Sequence, residues 1–105
     1  KNYKAAGSEY ETALKLDAAY MPAIFQIGHL AVLTGTNFVR GEEALKKYLG
    51  YTPKKDEPGL HRAWYWLGGI YEKQGKKADA KRSYEASLKL RAAAKDVTEA
   101  LKRVS

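Results

Sequence analysis

The chain has 105 residues, 45% hydrophobic and 30% charged, which leaves room for one domain with a modest core and excludes a disordered chain. It has no cysteine, so disulfides and thiolate metal sites are excluded, and no apolar run is long enough to span a membrane. Its net charge of +7 is uneven, with eight Lys/Arg against seven Asp/Glu over residues 1–58 and eleven against five over 59–105. The cations lie along helical segments with acids interleaved, as in Glu85/Lys89 and Glu99/Arg103 at i, i+4, a solvated face rather than a nucleic-acid surface.

Ala, Leu, Lys and Glu dominate and strand-forming runs are missing, so the expectation is all-α, with six helices over roughly 2–16, 21–34, 37–49, 60–75, 78–91 and 96–104. The first segment carries Ala6, Tyr10 and Ala13 at the spacing of Ala80, Tyr84 and Ser87. It reads as the second helix of a pair whose first helix is absent ahead of Lys1, as in a fragment of a longer array or a chain whose register was chosen. The junction Asp17-Ala18-Ala19 has no breaker before Pro22, a residue suited to the first turn of a helix.

The second segment repeats the pattern with Ile24, Ile27, Gly28 and Ala31 and stops at Gly35. The third, around Leu45 and Tyr48, has Gly41 at the small position and one extra residue after Gly35, so this copy is degenerate. Two prolines, glycines and a charged run make 51–59 a loop, read as an exposed spacer.

The fourth and fifth segments are the most informative. Trp64, Leu67 and Tyr71 fall at i, i+3, i+7 and form one apolar stripe. Gly68 sits beside that stripe and admits a second helix closely, on which Ala80 and Tyr84 share a face. Val97, Leu101 and Val104 then make a stripe on a last, capping helix, and Asp96 with Glu99 suggests a helix start. The order W-x2-L-G-x2-Y followed by A-x3-Y resembles the tetratricopeptide repeat. The resemblance is strong over 61–90, fair over 1–35 and weak over 36–59.

That resemblance implies an antiparallel helix-pair solenoid in one domain. Its parts are the second helix of a truncated repeat (1–20), a degenerate middle repeat (21–50), a loop (51–59), a clear repeat (60–94) and a capping helix (95–105). Tyr10, Ile24, Gly28, Trp64, Leu67, Gly68, Tyr71, Ala80 and Tyr84 would form the repeat core, with Trp64 buried between its own helices. In this family the first helices line the concave face. The stripes that would line it here are Phe25, Gln26, His29, Val32 and Leu33, then Arg62, Tyr65, Trp66, Gly69 and Lys73. Aromatics with Arg are the residue types of binding hot spots, and Gly69 would let a ligand backbone approach. Some members clamp an acidic C-terminal peptide with Lys, Asn and Arg. Gln26 and Arg62 stand at two such places, but Phe25, Trp66 and Gly69 occupy others, so an apolar or mixed peptide is the expected ligand.

His29 and His61 have neither Cys partners nor metal-ligand spacing, and Glu42-Glu43 and Asp56-Glu57 are adjacent pairs that do not face one another on a helix. The reading is therefore a non-enzymatic module with no cofactor and no metal, binding a protein or peptide, with neither nucleic acid nor membrane as partner. No targeting segment is visible. An alternative comes from the junctions. The family commonly places proline where Ala18, Ala19 and Ala92, Ala93, Ala94 stand. Those alanines are candidate hinges for fusing neighbouring helices across 17–21 and 91–96, since alanine favours helix over proline by about 3 kcal/mol. Fusion would leave apolar stripes uncovered and give a domain-swapped or polymerising homo-oligomer, as an engineered repeat would be designed to do.

Overall fold

The computed structural model describes residues 2–92 and 94–105. Six helices follow one another: α1 (Tyr3–Leu16), α2 (Met21–Thr34), α3 (Phe38–Leu49), α4 (Leu60–Lys73), α5 (Lys77–Leu90) and α6 (Lys95–Val104), with no strand among the described residues. Local chemistry marks the ends. The Asn2 side chain accepts from the Ala5 amide at 3.0 Å and opens α1, while Pro22 in the first turn opens α2. Gly35 takes the left-handed conformation, φ 67°, that ends α2.

Packing passes mainly from each helix to its neighbours in sequence and also from α2 to α4, and the molecule measures 40 × 29 × 22 Å. This is an antiparallel helix-pair solenoid. α2 pairs with α3 and α4 with α5, and each pair is allowed by a glycine. A Cβ on Gly28 would fall 2.2 Å from the Leu45 side chain, and one on Gly68 would fall 2.5 Å from the Tyr84 ring. The first core joins Ile24, Ile27, Leu45, Tyr48, Leu67 and Ile70 from α2, α3 and α4. The second joins Ala80 and Tyr84 of α5 to Val97, Ala100 and Val104 of α6. Trp64, Tyr71 and Tyr10 pack against the first core but remain partly exposed, so the full burial expected of Trp64 is not met. The small buried residues Ala63, Gly68 and Ala80 carry the close helix contacts instead.

The N-terminus of α4 is held from both sides. The Tyr48 hydroxyl donates to the Pro58 carbonyl, and Ser87 Oγ donates to the His61 carbonyl at 2.7 Å. The loop before α4 is folded rather than a loose spacer, because Glu57 accepts from the Tyr51 hydroxyl at 2.6 Å and from the Lys54 amide at 2.7 Å.

The expected fusion of helices does not occur. At the first junction Asp17 is extended, φ −149°, and its Oδ1 accepts from the Ala19 amide at 3.0 Å. This local side-chain bond competes with the helix and turns the chain, leaving Ala18 and Ala19 in the turn. At the second junction Arg91 leaves the helical conformation, φ −150°, Ala92 is in a turn and Ala94 precedes α6. Ala93 lies outside the described residues. Burying an aliphatic side chain yields about 1.5–3 kcal/mol, and folding back seats Val97 and Val104 on α5, which outweighs the helix preference of a few alanines.

Candidate peptide groove

The first helices of the successive pairs are α2, α4 and α6, and their side chains meet across one face. His29 of α2 stacks on Trp66 of α4 with ring centroids 4.0 Å apart and an interplanar angle of 26°. Tyr65 lies 4.9 Å from Trp66, and the Arg62 guanidinium stands 4.6 Å from the Tyr65 ring and 5.3 Å from the Trp66 ring. Arg62 Nη1 then donates to Asp96 Oδ2 of α6 at 2.9 Å. The result is one continuous run, His29–Trp66–Tyr65–Arg62–Asp96, over three helices, with its ring members all partly exposed.

One expected member of this face belongs elsewhere. Phe25 is 4% exposed and lies 5.2 Å from the Tyr48 ring, so it fills the core between α2 and α3. Its neighbour Gln26, turned a further 100° about the helix, keeps partial exposure. Gly69 permits the approach of α4 to α2, since a Cβ there would meet the Val32 side chain at 3.3 Å, and it also lines the cleft beside Trp66. Lys73 is exposed at the far end of α4, on the rim of a cleft of about 150 Å³ between Val32, Tyr65, Trp66 and Arg103.

Residues 61–93 match the family model described as tetratricopeptide repeat. The α4–α5 pair is thus a tetratricopeptide repeat. No curated protein matches it. The matched residues contain the repeat's Trp64, Leu67, Gly68, Tyr71, Ala80 and Tyr84. The stack through Arg62 to Asp96 joins that repeat to α6 beyond it.

Sequence reasoning missed the polar frame that α6 brings. Arg103 reaches Glu72 through two donors, Nε at 3.0 Å and Nη2 at 3.2 Å, and the Tyr84 hydroxyl donates to the same carboxylate at 2.7 Å. Asp96, read as a helix start, serves Arg62 with one oxygen and accepts from the Val97 amide with the other. The signal was the repeat period itself, since Arg62 and Asp96 are separated by 34 residues and so stand at matching places on successive first helices.

These pairs decide the electrostatics. Hydrogen bonding to Arg103 holds the Glu72 carboxyl below its ordinary value, and Arg62 does the same for Asp96. Burial, with help from the nearby Arg62 charge, lowers the pKa of His29, so at neutral pH its ring is uncharged against Trp66. With Arg62 and Arg103 committed to carboxylates, the face offers aromatic surface and Lys73, which has no ion-pair partner among the described residues, rather than a clamp of free cations. No group of three or more His, Cys, Asp or Glu suited to a metal ion occurs among the described residues.

Proposed function

We propose that the face made by α2, α4 and α6 holds a peptide or helix of a partner protein, with apolar side chains of the ligand laid on His29, Trp66 and Tyr65. The observation that carries this reading is the continuous, partly exposed stack from His29 to Arg62, since aromatic and arginine side chains dominate binding hot spots. Gln26 and Lys73 flank it and set the polar ends of the site. The repeat family is one of protein interaction, and in this reading the chain is non-enzymatic and works without a cofactor. Selection of displayed random peptides on the whole chain tests it, with counter-selection on the Trp66→Ala variant. The expected result is a consensus with one or two large apolar residues, lost on the variant; a consensus retained on Trp66→Ala overturns the assignment.

The second reading, a self-associating structural element, rests on α1. No residue of α1 is fully buried, whereas Ala80, Tyr84 and Ser87, at the places matching Ala6, Tyr10 and Ala13, are. The opposite end argues against an open chain, because α6 turns the exposed Thr98 and Lys102 outward.

A further inference from the structure

A second groove lies away from the aromatic stack. It occupies about 660 Å³ between α1, α2 and the start of α3, within the range of about 300–1,000 Å³ common for small-molecule sites. On α2 it is bounded by Thr34, five residues beyond His29 and so about 140° round the helix from it. Its floor is apolar, made by Gly7, Ile27, Leu30 and Ala31.

The polar rim is one-sided. The lining contains one acid, Glu11, and both of its oxygens are taken by Arg40 at 3.1 Å. Lys4 and Lys15 have no ion-pair partner among the described residues. The hydroxyl protons of Thr12 and Thr34 are already spent on the carbonyls of Ser8 and Leu30, each at 2.9 Å. What remains for a ligand is an apolar trough with the neutral polar groups of Tyr3, Ser8, Thr36 and Asn37 and two ammonium groups about it, and its one carboxylate already paired.

We infer that this groove binds a small amphiphilic anion, its apolar body on Ile27, Leu30 and Ala31 and its anionic head on Lys4 or Lys15. The site is independent of the peptide groove. The probe is anilinonaphthalene sulfonate, an apolar double ring with one sulfonate, titrated into the whole chain by fluorescence. The expected result is saturable binding of one probe per chain, weakened by added salt as its charge is screened. Reversing both lip charges, Lys4→Glu with Lys15→Glu, should weaken it about tenfold, roughly the sum of two exposed ion contacts. Ser8→Trp, at an exposed position on the lip, should block it by filling the trough. Circular dichroism and melting of each variant separate loss of the site from loss of the fold. Trp66→Ala should leave the probe's affinity unchanged. Absence of saturable binding, more than one probe per chain, indifference to both lip changes, or loss on Trp66→Ala would each overturn the proposal.

Discussion

Trp64 and Trp66 are two residues apart and face different demands. Both pack against the first core while keeping some exposure, and Trp66 also stacks on His29. Trp64→Ala should therefore cost about 2–3 kcal/mol, below the 3–5 kcal/mol of a fully buried aromatic. Trp66→Ala gives up one stacked pair and part of a seam, about 1–2 kcal/mol. Urea unfolding of the two variants checks the order, and equal losses would place Trp66 in the core. The imidazoles add a pH dependence. His29 and His61 both titrate below the ordinary 6.5, mainly through burial. A base whose folded pKa is lowered prefers to be neutral when folded, so its contribution is complete above 6.5 and is lost as pH falls toward the lowered value. The melting temperature should fall between pH 7 and pH 5, before the carboxylates protonate, and His29→Phe should reduce that fall. At this scale the sequence made the close contacts legible, because Gly28, Gly68 and Ala80 are small residues at fixed offsets from apolar ones. It did not separate Phe25 from His29. The two are four residues and so about 40° apart on α2, and which of them meets the groove depends on how α2 crosses α3 and α4.

The helices themselves were legible because their apolar period and glycine stops agree with their packing. The junctions were misread for a physical reason. Alanine propensity is a local preference of tenths of a kcal/mol, while the fold-back is decided by what α6 buries. Val97 is completely buried on α5, so Val97→Ala should cost about 2 kcal/mol. Ala92→Pro should leave melting and solution mass nearly unchanged, because the chain already turns there. A large change in either would mean that a continuous α5–α6 helix is populated. The Arg62–Asp96 pair, with side chains 31% and 49% exposed, should contribute at most about 1 kcal/mol in a double-mutant cycle. Its greater effect is to fix the guanidinium over Tyr65 and Trp66.

Across the whole molecule each helix leans on its neighbours, so stability should be distributed as a chain of adjacent interfaces rather than one centre. α1, which buries no residue fully, is the weak link, and its amides should exchange with solvent before those of α2 to α5. Light scattering decides between the two functional readings: a monomer mass at high concentration favours a module that binds other proteins, and a stable dimer favours assembly through α1. The central claim is that the face of α2 and α4 recognises a peptide through Trp66. It is tested most directly by calorimetric titration of the most enriched selected peptide into the parent chain and into Trp66→Ala. The account predicts one peptide per chain and an affinity at least about tenfold weaker in the variant, the loss expected of a hot-spot residue, with melting lowered by only a few degrees. Equal affinity in the two proteins would contradict it.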